Sequence, residues 1–325
     1  MLNKHAFNSR HLPLLVTSLL FVALFTAGSL QFENFGTLRV FMNLFTDNAF
    51  LLITAVGMTF VILSGGIDLS VGSTIALSGV VVSVLIEHYH WHPIYAFILV
   101  LIGGALFGGV MGAIIHGYKL QPFIVTLAGM FFARGLSTVI SEQSIPISHE
   151  FYDTVSMFGF RLPGDAWLDL STIISIAVLA FGIVLASFTR FGGRMYALGG
   201  DANAAALCGV PIARTVITIY AFNSFLAALA GIVFSFYTFS GYSLAAVGVE
   251  LDAIAAVVIG GTLLAGGYGY VLGTLFGVLI MGVVQTYISF DGTLSSWWTK
   301  IVIGLLLFCF IALQRLLMAK SSQSR

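Results

Sequence analysis

The stretch LSGGIDLSVGS, from Leu63 to Ser73, returns in the second half of the chain as LAGGYGYVLGT, from Leu264 to Thr274. The copies align without gaps: each has a small residue, a Gly-Gly pair and, after five further residues, Gly-Ser or Gly-Thr. Because each copy stands between two apolar runs, it predicts a break between two helices. Two similar halves with glycine-interrupted helices are typical of membrane transporters. Close helix packing through small residues requires similar glycines, so the sequence leaves both interpretations open.

Composition places the chain in a membrane. Hydrophobic residues make up 59% of its 325 residues and charged residues only 8%, and the mean hydropathy is +1.05. So few charges cannot cover a soluble globule of this length. The two cysteines, Cys208 and Cys309, lack metal-ligand spacing, so we expect no disulfide framework, no metal site and no bound cofactor.

Ten apolar segments have the length, alone or as broken pairs, to cross roughly 30 Å of hydrocarbon. They lie near residues 14–30, 49–64, 71–86, 94–117, 122–140, 171–189, 214–238, 252–267, 271–288 and 298–318. We predict an all-α polytopic integral membrane protein of about ten transmembrane helices, forming one domain over residues 1–325. The pairs 49–86 and 252–288 have room for re-entrant pieces. Lys4 and Arg10 precede the first run, which we interpret as an uncleaved first helix and insertion signal rather than a cleaved signal peptide.

Charge placement gives an orientation. With a cytosolic N-terminus and ten alternating spans, nine of the 13 basic residues lie in the cytosolic segments 1–13, 118–121, 190–214 and 315–325. Eleven of the 13 acidic residues lie on the opposite side. This asymmetry follows the positive-inside rule, so we predict that both termini are cytosolic and that residues 141–170 form the longest external loop.

The cytosolic loop, residues 190–214, contains a predicted short helix at Ala202–Leu207. Asp201 is a suitable N-cap, Gly209 suits the left-handed position after the helix, and Pro211 prevents its continuation. A helix of two turns is marginal alone in water, so we expect it to dock on a partner. An ordinary loop with one helical turn is the alternative.

Polar residues near the breaks are candidates for a gate or a substrate path. Asp68, or Ser70, is expected to cap the helix that begins near Val71; a direct substrate or gating role for Asp68 is the alternative. Gly269 occupies the equivalent position in the second copy, so either role belongs to one half. The candidate gate and path residues are Gly65, Gly66, Asp68, Gln121, Asn223, Gly266, Gly267 and Gln285. Each amide is also suited to a helix–helix hydrogen bond.

No energy source is encoded in the chain itself. It contains no Gly-Lys pair, so it has no P-loop for ATP, and we do not predict an enzyme. Asp68 and Arg134 are the clear ionisable candidates in or beside the spans, and Arg134 is interpreted as a snorkelling side chain. An ion-coupled secondary carrier is therefore the second hypothesis, and a membrane scaffold without transport is the third.

Three segments carry a resemblance to a known family. They are AVGMTFVILSGGIDLSVGS (55–73), ALGGDANAAALCGV (197–210) and GVELDAIAAVVIGGTLLAGGYGYVLGT (248–274). Over essentially its whole length the chain resembles the permease subunits of bacterial sugar ATP-binding-cassette importers, the ribose, xylose and galactose permease family. Residues 46–73 and 290–300 are more similar to galactofuranose importer permeases than to ribose importer permeases.

The resemblance implies partners and a location. It implies a dimer of identical or different permeases in the bacterial inner membrane, two cytosolic ATPase domains and a periplasmic sugar-binding protein, with no nucleic acid involved. It implies a monosaccharide substrate, such as galactofuranose, and a coupling helix that enters a groove on the ATPase. The implied coupling residues are Gly199, Gly200, Asp201, Ala204, Ala205 and Gly209. Many relatives have Asn where Asp201 stands and Gly near Phe225.

Overall fold

A computed structural model describes residues 12–295 and 297–323, with side chains described for residues 13–295 and 297–312. The first helices are α1 (Leu12–Gln31), α2 (Leu38–Asp47), α3 (Ala49–Leu63), α4 (Val71–Glu87), α5 (Pro93–Gly117) and α6 (Pro122–Ile140). A short excursion follows, with β1 (Ile145–Pro146), α7 (Glu150–Met157), β2 (Gly159–Leu162) and β3 (Ala166–Asp169). The second half contains α8 (Leu170–Phe188), α9 (Arg190–Gly200), α10 (Ala202–Leu207), α11 (Ile212–Thr238), β4 (Ser240–Gly241), α12 (Val249–Ile259), α13 (Val271–Asp291) and α14 (Trp297–Gln323). Lys4 and Arg10 lie outside the described residues.

Six of the described helices are long and apolar enough to cross a membrane, namely α1, α5, α6, α8, α11 and α13. The pair α2–α3, bent by 57°, makes a seventh span. This confirms an all-α polytopic membrane protein. Helices α4 and α12 are shorter, so the count of ten spans stays a prediction.

The second break differs from its expected position. An apolar span was predicted over residues 252–267, but α12 ends at Ile259, and Gly261 follows with a φ of +92°. A helix of 11 residues is about 16 Å long and cannot cross the hydrocarbon alone. It is preceded by non-helical backbone over residues 242–248, where a Cβ on Gly72 would lie 2.6 Å from the Ala246 carbonyl oxygen.

The connecting segments are sorted to the two ends of the bundle. At one end, which we call the β end, β1 pairs with β4 and Asp169 accepts a 2.8 Å hydrogen bond from Thr46. At the other, which we call the glycine end, Tyr196 of α9 donates a 2.8 Å hydrogen bond to the Gly269 carbonyl oxygen. Helix α3, with 15 residues, connects the two ends over roughly 22 Å. Segments 141–169 and 190–210 therefore lie at opposite ends, as the predicted alternation of spans requires.

Helix α11 occupies the centre of the bundle, packed against α5, α3 and α4. Its approach to α5 depends on small residues, because a Cβ on Gly104 would lie 2.8 Å from the Ser224 carbonyl oxygen and one on Gly112 would lie 2.8 Å from Ile217 Cα. Glycines at such spacing allow two helix backbones to pack closely. The packing holds the side chain of Asn223 inside the bundle, fully buried.

Candidate coupling junction and polar path

Three backbone segments meet at the glycine end. The amide of Gly267 donates a 2.9 Å hydrogen bond to the carbonyl oxygen of Leu63, which joins the second break to the first. A Cβ on Gly266 would lie 2.8 Å from Gly65 N and 3.1 Å from the carbonyl oxygen of Gly199, at the end of α9. We call this meeting point the glycine junction; it comprises Gly65, Gly199, Gly200, Gly266 and Gly267.

The junction requires glycine for two reasons. Gly65, Gly266 and Gly267 have φ angles of +83°, +84° and +74°, which side chains on L-residues rarely permit. A Cβ on Gly199 would collide with the Leu63 carbonyl oxygen and lie 2.6 Å from Gly267 N. Backbone therefore touches backbone directly, with no side chain between the end of α9 and the two helix breaks.

Tyr196 reinforces this contact. Burial, with a smaller contribution from Tyr270, raises the pKa of the Tyr196 hydroxyl to about 12. The hydroxyl is therefore protonated at neutral pH and remains a donor to the Gly269 carbonyl oxygen. Helix α9 is thus fixed to the second break at two points along its length.

The short helix α10 has the predicted bounds and the predicted cap. Asp201 Oδ1 accepts hydrogen bonds from Asn203 N (2.8 Å) and Ala204 N (3.0 Å), and Gly209 has a φ of +81°. Ala205 is buried against its own chain, whereas Leu207 is 90% exposed. Asp201, Ala204 and Gly209 are also exposed, as are the flanking residues Arg190, Arg194 and Arg214. The helix thus presents one large apolar side chain, and exposed arginines flank it in the sequence.

Asp68 does not cap α4, so the expected side-chain cap is wrong. Ser70 is the N-cap residue and makes no side-chain capping bond. Asp68 lies two residues earlier, so its Oδ1 reaches only the backbone N (2.8 Å) and hydroxyl (2.7 Å) of Ser70. Its Oδ2 accepts a 2.8 Å hydrogen bond from Asn223 Nδ2. The carboxylate is fully buried and ties the first break to α11.

Two further side chains hold the first break in place. The hydroxyls of Tyr220 and Thr126 approach the Ile67 carbonyl oxygen at 3.3 and 3.4 Å. Among the described residues, Asn223 Oδ1 is buried without a hydrogen-bond partner. The break therefore contacts α11 and α6 through a compact polar cluster that retains one free acceptor.

Arg134 is not a snorkelling side chain, contrary to expectation. Its Nη1 donates hydrogen bonds to the carbonyl oxygens of Ser243 (2.6 Å) and Ala245 (2.7 Å). Glu250, which was expected on the external side, interacts electrostatically with Arg134 and sits so close to Gly72 that a Cβ there would collide with its carboxylate. Since residues 242–248 have no helical hydrogen bonding of their own, Arg134 supplies donors that their backbone needs.

The predicted path residues do not all meet. The structure brings Gly65, Gly266 and Gly267 together at the junction, and it brings Asp68 to Asn223. Gly66 instead lies against Tyr220 of α11. Gln121 is exposed at the N-cap of α6, and Gln285 lines a separate cavity at the β end. Their roles in gating or in a substrate path stay predictions. Among the described residues, no group of His, Cys, Asp or Glu has metal-site geometry.

Comparison with known proteins identifies the family. A family model described as "Branched-chain amino acid transport system / permease component" matches residues 40–311. The chain belongs to this permease family. No solved structure matches the permease.

Relatives of the permease have names that refer to ABC transport and sugar import. It is 58% identical to "Inner membrane ABC transporter permease protein YjfF" of Escherichia coli K12, over 94% of this chain and 92% of the relative. It is 38% identical to "Fructose import permease protein FruG" of Bifidobacterium longum, over 95% and 92%. It is also 38% identical to "Ribose import permease protein RbsC" of Escherichia coli K12, over 83% of each chain. The permease is therefore a member of the sugar ABC transporter permeases.

Sequence reasoning missed two features of the permease. Leu207 was not singled out, because one apolar residue in a polar loop is usually interpreted as a buried anchor, although its position at the end of a predicted helix was a usable signal. The contact of Glu250 with Gly72 was also not foreseen, because it depends on how residues 242–248 pack against α4.

Proposed function

We propose that this permease forms one half of the translocation path of an ATP-driven monosaccharide importer, with α10 as the element that a separate ATPase moves. The observation that carries the proposal is the direct backbone contact of Gly199 with both helix breaks. Gly199 lies three residues before the first residue of α10, so only Gly200 and Asp201 separate the exposed helix from the contact inside the bundle.

The proposed mechanism is conformational. An ATPase groove would accept Leu207, and the exposed arginines beside α10 suit acidic groups around that groove. Movement of α10 would pull the end of α9, and the junction would pass that movement to α3, α4, α12 and α13. Because this chain has no P-loop, ATP hydrolysis belongs to the partner, and this chain performs no covalent chemistry.

The finer topology is part of the same proposal. Ten segments would enter the membrane: the seven spans described above together with α4, α12 and α14. The glycine end would face the cytosol, since it carries the exposed Arg190, Arg194 and Arg214. The β end would face the periplasm, where a sugar-binding protein would dock, and a second permease, identical or different, would complete the path.

The substrate proposed is a neutral monosaccharide, either galactofuranose or a related sugar. The names of relatives refer to fructose, ribose and D-allose, while the family description refers to branched-chain amino acids. Resemblance of residues 46–73 and 290–300 to galactofuranose importer permeases supports the narrower choice.

The test is Leu207→Glu, with Met157→Glu as its matched control. Both side chains are exposed, at 90% and 78%, but Met157 lies at the β end. A buried interface anchor contributes on the order of 2 kcal/mol, so Leu207→Glu should lose ATP-dependent sugar uptake and co-purification of an ATPase while membrane insertion is retained. Met157→Glu should keep both. Full uptake and normal ATPase recovery by Leu207→Glu would refute α10 as the coupling element.

The ion-coupled carrier is the second candidate, favoured only by the buried carboxylate of Asp68. Such a carrier would lose uptake when ionophores collapse ion gradients and would tolerate ATP depletion. The importer should instead lose uptake when ATP is depleted and keep it when ionophores collapse the ion gradients. Purification of the chain alone with full uptake activity would establish the carrier.

A further inference from the structure

The β end contains a polar cavity of about 540 Å³. It lies among the bend between α2 and α3, the last turns of α11 and α13, and the first turns of α12 and α14. Its volume falls in the range of roughly 300 to 1,000 Å³ that is usual for small-molecule sites. Asn48 at its edge and Leu63 at the junction are separated by the length of α3, so this cavity is distinct from the glycine junction.

The lining combines hydrogen-bonding groups with aromatic walls. Amides, carboxylates and hydroxyls come from five different helices, and they include Asp47, Asn48, Tyr237, Gln285, Ser289 and Thr299. Phe50 and Phe234 form an edge-to-face pair with ring centroids 5.0 Å apart, and both line the cavity. Hydroxyl-rich ligands with apolar C–H faces match a lining of this kind, since they need paired donors and acceptors as well as flat apolar contact.

The charge of the cavity excludes anionic ligands. Lys300 is the one cation among the described lining residues, and its Nζ donates to both carboxylate oxygens of Asp252, at 2.8 and 2.6 Å. That pair neutralises itself, which leaves the carboxylate of Asp47 as the remaining formal charge. A ligand carboxylate or phosphate would therefore meet no free cation and would be repelled by Asp47. An amino acid, whose carboxylate needs such a partner, is disfavoured for the same reason.

Several groups are positioned before any ligand arrives. Asn48 is 7% exposed, and its Nδ2 donates a 2.9 Å hydrogen bond to the Leu44 carbonyl oxygen. The side chains of Asp47 and Tyr237 lie beside each other and interact electrostatically. Buried Leu51 and Met281 also line the cavity, on its apolar side. Fixed polar groups above apolar walls are the usual composition of a binding site.

We propose that this cavity is a binding site for a neutral saccharide, so that the permease itself selects its cargo by hydrogen bonding at the β end. The proposal rests on the proposed transport function and assigns its substrate contacts to Asp47, Asn48, Tyr237, Gln285 and Ser289. The side chain of Gln285 is exposed and does not pack in the bundle core. Its amide is therefore accessible to a ligand in the cavity.

The direct test is protection of a thiol in membranes containing the full chain. With Cys208 and Cys309 replaced by Ser, Ser289→Cys lies in the cavity and Gln143→Cys lies in an exposed loop at the same end. D-Galactose, D-ribose or D-fructose at tens of millimolar should at least halve the maleimide labelling rate of Ser289→Cys and leave Gln143→Cys unchanged. D-Gluconate and L-leucine should not protect. Absence of protection by every neutral sugar, or equal protection by L-leucine, would overturn the proposal.

A transport measurement separates this site from the function on which it rests. Loss of one ligand hydrogen bond corresponds to about a tenfold weaker affinity, so Gln285→Ala should raise the KM for sugar uptake about tenfold with little change in maximal rate. Gln143→Ala is the control and should match the parent chain. If the parent chain moves no sugar, the proposed function fails; if it does and Gln285→Ala is unchanged, only the saccharide site fails.

Discussion

Asp68 shows how one side chain can hold a helix break inside a bundle. Its carboxylate accepts three hydrogen bonds, two from Ser70 and one from Asn223, and none of its surface is exposed. A buried carboxylate without such donors would be costly. Removing the acceptors therefore leaves buried donors unpaired, and that cost exceeds the loss of the bonds themselves.

Replacement of Asp68 should separate hydrogen bonding from charge. Asp68→Asn keeps an oxygen for Ser70. Its amide can donate to Asn223 Oδ1, the buried acceptor that lacks a partner, once the Asn223 amide turns so that Oδ1 takes the place of Nδ2 at this contact. We expect near-normal uptake and stability. Asp68→Leu leaves the donors of Ser70 and Asn223 unpaired and should destabilise the protein by about 2 to 4 kcal/mol. Thermal unfolding in detergent and uptake assays measure both variants; equally severe loss in both would instead indicate that the negative charge itself is required.

For individual residues, the sequence predicts those contacts that are made within about one helical turn along the chain. Asp201 and Gly209 could be assigned because a helix cap depends on residues within one turn of it. The contacts of Arg134 could not, because its partners, the carbonyl groups of Ser243 and Ala245, are supplied by a distant backbone segment whose path no local pattern reveals.

Among the elements, α9 connects the exposed helix to the interior. It has four glycines in 11 residues, a composition that predicts a loop, and it was not foreseen. Met195 and Leu198 bury its apolar side, and Phe191 stacks on Phe60 with ring centroids 6.0 Å apart. Tertiary packing has overridden the weak helix propensity of this segment.

The glycines of α9 should differ sharply in their tolerance of alanine. A Cβ on Gly199 meets the backbone of both breaks, whereas a Cβ on Gly193 meets nothing within 4 Å. Gly199→Ala should cost on the order of 1 to 3 kcal/mol through overpacking and should lose uptake. Gly193→Ala should be neutral or stabilising by roughly 0.5 to 1 kcal/mol. Thermal unfolding and uptake provide the comparison, and a fully active Gly199→Ala variant would mean that the junction is not a rigid contact.

Helix ends could be predicted where a proline or the end of an apolar run marks them in the sequence. Pro122 begins α6 and the apolar run ends at Ile140, as expected. The second break was misplaced because only Gly260, Gly261 and Thr262 interrupt the apolar sequence after Ile259, before it continues at Leu263. Helix α2 was missed for the opposite reason, since its polar residues conceal a helix that Thr37 caps through a hydrogen bond from Val40 N.

For the whole molecule, the separation of the β end from the glycine end makes a topological prediction. Ser144 and Asn203 are both exposed and lie in segments at opposite ends of the bundle. In a chain with Cys208 and Cys309 replaced by Ser, Ser144→Cys should label with an impermeant maleimide from the periplasmic side, and Asn203→Cys only after the membrane is opened. Labelling of both from one side would contradict the proposed orientation.

The site as a whole was only partly predictable. The Gly-Gly pairs at residues 65–66 and 266–267 were recognisable as special, but their contact with Gly199 depends on how three segments fold back on one another. The cavity at the β end was represented in the sequence by Gln285 alone, because its other polar groups stand at helix ends, where polar residues are ordinary.

The glycine junction consists of backbone, and this has a consequence for how such systems diversify. A contact without side chains cannot be altered by exchanging side chains, so it constrains residues 199–200 while leaving the exposed residues of α10 free to vary. Ala205, which is buried, is the exception within that helix. Exchanging these exposed side chains should change which ATPase the chain binds and preserve the response of its interior.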